Sequence, residues 1–257
     1  MKMDDRSILE AAKGAISKAG ETALEYWQKG VVLTQKTNDP GTVSEADKAV
    51  EELLKGWIRA NFPDDSIVAE ESGGSPTGTF WTIDPIDGTN FFAHHLVDWS
   101  ISLARFVDGE AAMGLTLCPP TGELFWATKG GGAFVNGKRI KVSAVDQTKM
   151  AIVNLNQDTI RFYDRVDVDQ ALIKGTRSHW VVGSTALALA RLAEGRIDLA
   201  VHMKQSIWDI AAASVLIPEA GGVFRRWDGG ALDCTGARAN DIYASNGVLP
   251  EDWFFLK

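Results

Sequence analysis

Cysteine is scarce in this chain, with two among 257 residues. Cys118 and Cys234 lie far from any histidine or cysteine at ligand spacing, so no thiolate metal site is read from them. Free thiols fit a reducing, cytoplasmic setting, with one disulfide between them left open. Long apolar runs are missing too. None approaches the ~20 residues that a membrane-spanning helix needs, so no membrane segment is expected. The opening residues Met1-Lys2-Met3-Asp4-Asp5 are charged and carry no apolar stretch of the secretory kind, so no signal peptide is expected. Positive charge is in deficit: 26 Lys and Arg against 34 Asp and Glu give a net charge of −8. That balance disfavours a broad surface for nucleic acid or anionic lipid. No linker, internal repeat or low-complexity segment interrupts the chain. What is there, 45% apolar and 23% charged residues, is ordinary for a soluble globular protein. The length suits one domain over 1–257, with an N-terminal half of about 1–145 and a C-terminal half of about 146–257.

Periodicity supplies the elements. Asp4 to Gly30 reads as an amphipathic helix on Ile8, Ala12, Ala15, Ala19, Ala23 and Trp27, stopped by Gly30. Thr42 to Asn61 reads as a second, with Val50, Leu53, Leu54, Trp57 and Ile58 inward. Strands dominate from Ser66 to Val142, including Trp99–Val107, Ala111–Leu117 and Glu123–Thr128, and Asn136-Gly137 marks a hairpin. The second half alternates: strand Trp180–Val182, helix Ser184–Glu194, strand Ile197–Val201, helix Trp208–Ala220, strand Ile242–Ser245. Clustered strands followed by alternation predict a layered α/β sandwich with two sheets.

The most informative stretch is Trp81-Thr82-Ile83-Asp84-Pro85-Ile86-Asp87-Gly88-Thr89-Asn90. An apolar run ends on a carboxylate, a proline turn follows, then a second carboxylate, a glycine and a hydroxyl. Pro and Gly bend the backbone so that both acids can face one point. Two anionic oxygen ligands with a backbone carbonyl between them suit a hard divalent cation such as Mg²⁺. Upstream, Ser66-Ile67-Val68-Ala69-Glu70-Glu71-Ser72 repeats the design. Downstream, Trp208-Asp209-Ile210-Ala211-Ala212-Ala213 sets an Asp at the start of an alanine-rich helix that ends at Glu219-Ala220-Gly221-Gly222.

Together these segments resemble the inositol monophosphatase family of metal-dependent, lithium-sensitive phosphatases, over about Lys36 to Gly222. The resemblance implies an α-β-α-β-α sandwich, a homodimer, and two to three Mg²⁺ ions per site. It assigns one ion to Glu70, Asp84 and the Ile86 carbonyl, a second to Asp84, Asp87 and Asp209, and a weaker third to Glu70 and water. One ion would make hydroxide available near neutrality and another would steady the leaving alkoxide. Bound cations would also reconcile an acidic chain with an anionic substrate. Thr89, hydrogen-bonded by Asp47, would orient the attacking water, with Glu70 also counted among the catalytic residues. Ser44-x-x-Asp47 is equally a helix capping box, and both roles are compatible. Gly183-Ser184-Thr185 opens a helix, either as an anion site or as an ordinary cap. The family places substrate contacts there, and the amides of Gly88 and Thr89 would cradle the phosphate from the other side; Asp209 would also contact substrate.

Substrate choice turns on His202, seven residues before Asp209, where inositol-specific enzymes typically carry Glu. The bland reading is a strand end pointing into solvent. The functional reading is that His202, with Lys204, selects another leaving group, one with an additional anionic or carbonyl feature, so myo-inositol 1-phosphate is not expected to be the best substrate of this phosphomonoesterase. Alternatives on the same fold are histidinol phosphate, fructose 1,6-bisphosphate and a 3′-phosphoadenosine nucleotide. A regulatory protein- or RNA-binding member is the alternative of another class, disfavoured by the intact carboxylates and Thr89. Gly132 to Lys138 mimics a P-loop, but Arg139 follows where Ser or Thr is required, and a hairpin is expected. Asp164, Asp167 and Asp169 lack the Gly and Glu of a calcium loop and read as a solvated acidic stretch. His94 and His95 read as one buried and one exposed histidine. The family pattern continues Thr-Asn-Phe after Gly-Thr, whereas here Asn90-Phe91-Phe92 follows Thr89, so the surface beside the site is expected to be reshaped.

Overall fold

The computed structural model describes residues 4–36, 42–155, 164, 166–236 and 239–250. Helix α1 (Asp5–Lys29) is capped by Asp4, whose carboxylate accepts the Ser7 N–H at 2.8 Å, and ends at Gly30 with φ 77°. Its buried stripe is Ile8, Ala12, Ala15, Ile16, Ala19 and Ala23, close to the periodic set. Strands β1 (Thr34–Gln35) and β2 (Thr42–Val43) pair antiparallel, and α2 (Glu45–Asn61) follows. Thr42 was expected to be helical. The capping box holds Ser44 extended and fixes the first helical residue at Glu45, which leaves Thr42–Val43 to a strand.

Strands β3 (Ser66–Ala69) and β4 (Phe80–Asp87) come next, then the short helix α3 (Thr89–Ala93). Strands β5 (Ser100–Val107), β6 (Glu110–Cys118), β7 (Glu123–Thr128), β8 (Gly132–Val135) and β9 (Lys138–Arg139) complete a seven-stranded sheet in chain order. Only the β3–β4 pair is parallel. Asn136 and Gly137, both at positive φ, turn β8 into β9, so the mimicked P-loop is a hairpin.

The second half holds β10 (Ile152–Leu155), α4 (Val166–Gly175), β11 (Ser178–His179), α5 (Thr185–Ala193), β12 (Leu199–Gln205), α6 (Ile207–Glu219), β13 (Val223–Arg226) and β14 (Asn240–Ser245). Its sheet has the order β11-β10-β12-β14-β13, with β10 parallel to β11 and β12. The strand expected at Trp180–Val182 is instead β11, two residues earlier. Trp180 donates its N–H to the Val153 carbonyl, but its own carbonyl accepts from the Asn154 side chain, so the chain leaves the ladder there. Strand β12 starts at Leu199 rather than Ile197, because Asp198 is held by Ser143 and by the Ile152 N–H. It runs past Val201 to Gln205 through a bulge at Lys204 (φ 55°).

The layers are α1 and α2, the seven-stranded sheet, α5 and α6, the five-stranded sheet, and α4 on the far side of β10. Helix α6 is buried almost all round, through Ile207, Ile210, Ala211, Ala212, Ala213, Val215, Leu216 and Ile217, as a helix between two sheets must be. Its alanines let it sit very close to β6. A Cβ on Gly114 would lie 2.6 Å from the Ala212 backbone, so only glycine fits. Two further expectations are corrected. His94 and His95 are both exposed, since α3 ends on His94 and His95 turns outward at φ 55°. Asp164 is exposed but Asp169 is buried, because α4 turns it inward; the side chain of Asp167 lies outside the described residues.

Candidate active site

The geometry begins with Pro85. It has no N–H for the β4–β5 ladder, and the register slips between Asp84↔Ser102 and Asp87↔Ser100. In a regular strand residues three apart face opposite ways. The extra residue lets Asp84 and Asp87 converge. Asp209 joins them from the first turn of α6, where its carboxylate accepts the Ser206 N–H at 2.8 Å in a capping box. One oxygen from each of Asp84, Asp87 and Asp209 lies within 4.8 Å of the others. Glu70 follows β3, with its N–H on the Ile83 carbonyl at 3.1 Å. Its carboxylate accepts from Lys36 at 2.7 Å, and the same ammonium reaches Glu71 at 2.7 Å.

Burial makes Asp84, Asp87 and the neighbouring Glu71 reluctant to ionise. Asp84 is 1% exposed and is pushed well above the usual carboxylate range, first by burial and then by the charges of Glu70, Asp87 and Asp209. Asp87 is pushed up to about 6 by burial, despite hydrogen bonds from Ser184 Oγ at 2.7 Å and the Ala186 N–H at 2.6 Å. Glu71 is raised to about 7, again chiefly by burial. Burial would lower Lys36, but Glu70 and Glu71 outweigh it and hold the ammonium above its ordinary value. No Lys or Arg among the described residues pairs with Asp84 or Asp87. An oxygen-only donor set with unneutralised, partly buried carboxylates fits a hard divalent cation.

Thr89 follows Gly88, whose φ of 95° makes the turn into α3. Its hydroxyl lies 3.2 Å from the Ile86 carbonyl and 3.4 Å from Asp47 Oδ1. The other oxygen of Asp47 accepts from the Ser44 N–H at 2.8 Å and Ser44 Oγ at 2.6 Å, so one carboxylate serves both cap and threonine. Burial raises Asp47 to about 6.

These groups open on a cleft of about 430 Å³. Glu70, Asp84, Ile86, Asp87, Gly88, Thr89, Gly183, Thr185, His202 and Asp209 all line it. Ser184 does not. It is fully buried, caps α5 by accepting the Leu187 N–H at 3.0 Å, and donates to Asp87. The substrate contact expected of Ser184 is therefore replaced by a positioning role. Gly183 packs against Phe91 so closely that a Cβ would come within 2.2 Å of the ring. His202 does not point into solvent. It is 2% exposed, and burial lowers its pKa to about 4. Asn154 and Gln205, which hold His202 and Thr185, do not stand out in the sequence as site residues. The available signal was an asparagine inside the apolar run Ile152-Val153-Asn154-Leu155.

Clustered acids and a threonine on a proline-glycine turn, at the seam of two sheets in a five-layer stack, are the marks of a phosphomonoester hydrolase. The inositol monophosphatase family model matches residues 4–253. A "Fructose-1,6-bisphosphatase/inositol-1-monophosphatase" of Thermotoga maritima is 32% identical over 240 residues, covering 92% of this chain and 90% of its own. A "Histidinol-phosphatase" of Chlorobaculum parvum is 33% identical over 226 residues, covering 83% of each. The solved structure of a Thermotoga maritima inositol monophosphatase superposes with a TM-score of 0.85 at 32% identity, covering 95% of this chain and 93% of that one. The chain belongs to the inositol monophosphatase family, whose members hydrolyse phosphate monoesters.

Proposed function

We propose that this phosphatase is a Mg²⁺-dependent enzyme of small polyol or sugar phosphates. The observation that carries the reading is the convergence of Asp84, Asp87 and Asp209 oxygens within 4.8 Å in the cleft. Asp84, Asp87, Asp209, Glu70 and the Ile86 carbonyl would hold two to three cations. When bound, these would acidify an attacking water and neutralise charge developing on the phosphoryl group and leaving oxygen. The chain's own groups do the rest. Thr89, steadied by Asp47, aligns the water. Ser184 and the Ala186 N–H fix Asp87. The backbone of Gly88, Thr89 and Gly183 cradles the phosphate, and Thr185 and His202 face the leaving group. We further propose a cytoplasmic homodimer. The dimer rests on family resemblance, and the compartment on Cys118 and Cys234 being free thiols.

The test is release of inorganic phosphate from a panel, with and without Mg²⁺. The panel holds inositol 1-phosphate, histidinol phosphate, fructose 1,6-bisphosphate, 3′-phosphoadenosine 5′-phosphate and simple sugar phosphates. Turnover is expected only with the divalent cation, and inositol 1-phosphate is not expected to lead. His202 offers a single neutral lone pair where a glutamate would offer two charged oxygens. In LiCl the rate is expected to fall below that in KCl at equal ionic strength, through Li⁺ at Asp84, Asp87 and Asp209. Metal-independent turnover would overturn the reading.

Metal removal has its own signature. A carboxylate whose folded pKa is raised contributes stability that is complete below its unfolded value and is lost as pH rises through the folded one. Asp87, at about 6, and Asp84, also raised, therefore destabilise the metal-free protein at neutral pH. Thermal denaturation after EDTA treatment is expected to show Mg²⁺ raising Tm at about pH 7.5 and raising it less at about pH 5. A Tm indifferent to divalent cations at the higher pH would count against the cluster as a metal site.

A further inference from the structure

Helix α2 carries three ionisable side chains at four-residue spacing, Asp47, Glu51 and Lys55, and all three are buried. Residues four apart share one face of a helix. A face turned into the protein is ordinarily apolar, as Ala46, Val50, Leu54 and Ile58 are on this helix. Stability alone does not call for a buried Glu–Lys pair, since apolar side chains of the same size often serve as well or better. The contacts of the pair give it a use.

Strand β3 ends at Ala69, and the chain then closes a tight loop. The Ala69 N–H donates to the Gly73 carbonyl at 3.0 Å, and the Gly73 N–H donates back to the Ala69 carbonyl at 2.9 Å. Glu70 opens this loop and lines the cleft. The next N–H, that of Glu71, goes to Glu51 Oε2 at 2.8 Å, a carboxylate 20 residues away on α2. Glu51 Oε1 faces Lys55 Nζ at 3.6 Å, and that ammonium donates to Ser72 Oγ at 2.8 Å and to Glu52 Oε1 at 2.7 Å. The loop is thus gripped at Glu71 and at Ser72, both times from one helix. One turn earlier on α2, Asp47 Oδ1 lies 3.4 Å from the Thr89 hydroxyl. Four residues advance a helix by about 6 Å, so α2 sets the spacing between Thr89 and the Glu70 loop as a single rigid rod.

Building on the phosphatase reading above, we infer that Glu51 and Lys55 are positioning residues for Glu70. The pair holds the backbone just past Glu70, so that its carboxylate meets its cation at a fixed distance from the water that Thr89 aligns. Glu51 acts as the acceptor for the Glu71 N–H. Lys55 orients Glu51 and ties down Ser72. Neither side chain lines the cleft.

The test uses the full-length chain and two readouts. Electron paramagnetic resonance counts Mn²⁺ bound to the metal-depleted protein, and phosphate release in Mg²⁺ is measured on the best substrate of the panel. Glu51→Met keeps the length of the side chain and removes the acceptor. The ion assigned to Glu70 is expected to bind about tenfold or more weakly per folded molecule, and kcat to fall by a similar factor, with KM for the ester within about threefold. Glu51→Gln keeps an oxygen for the Glu71 N–H and is expected to recover most of both losses. Mn²⁺ binding and kcat unchanged in Glu51→Met overturn the inference while the phosphatase reading stands. So does a variant that only melts earlier, its folded fraction binding Mn²⁺ as the wild type does. Equal losses in Glu51→Met and Glu51→Gln overturn it too, since charge and not the N–H contact would then be what counts. A wild type that binds no Mn²⁺ and releases no phosphate overturns both readings. If Glu51→Met fails to fold, Lys55→Met decides. Weaker Mn²⁺ binding together with faster hydrogen exchange at the Glu71 amide supports the inference, and either one unchanged overturns it.

Discussion

Replacing Asp84 by asparagine is expected to cut turnover by at least ~10²-fold with the protein still folded, the scale of losing one preorganised electrostatic element. Asp84 sits where the proposed cation sites meet. Its side chain is nearly fully buried, and its Oδ1 accepts the Ile86 N–H at 3.1 Å. Asparagine has the same shape and keeps an oxygen for that bond, so the turn survives. What disappears is a buried negative charge among three other acids. The metal-free variant is therefore expected to melt no lower than the metal-free wild type, while its Mg²⁺-induced rise in Tm shrinks. Phosphate-release kinetics and thermal denaturation measured side by side check both halves. Near-wild-type turnover on the best substrate would defeat the assignment of Asp84 as a shared ligand.

Thr89→Val is expected to lower kcat and kcat/KM together by about 10²-fold or more, with KM little changed. Valine matches the shape of threonine and removes only the hydroxyl that faces Asp47 Oδ1 and the Ile86 carbonyl. The proposed task of that hydroxyl is aligning water, which matters in the transition state rather than in substrate binding. Thr89→Ser is expected to recover most of the loss. Asp47→Ala should lose activity as well, and additionally about 1 kcal/mol of stability, because the same carboxylate closes the α2 capping box. A Thr89→Val enzyme that raises KM and leaves kcat alone would move Thr89 from the chemistry to substrate binding.

The parts of this site legible in the sequence were those whose cause is local. Asp84 and Asp87 could be paired because Pro85 and Gly88 lie within four residues of them, and proline's missing N–H is a local fact that forces the bulge. Asp209 was visible as the acid opening an alanine-rich run, and the alanines are there because β6 presses on α6 at Gly114. What could not be read was decided across the fold. Ser184 could be read as an anion contact or as an ordinary cap; the cap is what forms, and only the approach of β4 to the start of α5 gives its hydroxyl to Asp87. His202 could be read as an exposed strand end or as a residue selecting the leaving group; Asn154 and Thr185, 48 and 17 residues away, hold it inside. The strand expected at Trp180 failed for the same reason, since a side-chain amide from β10 claimed the carbonyl that the ladder needed.

The position of α6 carries a consequence for how damage would be felt. The helix delivers Asp209 from its first turn and is walled in by both sheets along its length. The proposed ligand set therefore cannot be loosened piecemeal; separating Asp209 from Asp84 means parting the two sheets. Substitutions in the packed interior far from the cleft should thin the population of working molecules and leave each survivor with an unaltered KM. In a cell such changes would register as lower abundance, not as a changed enzyme.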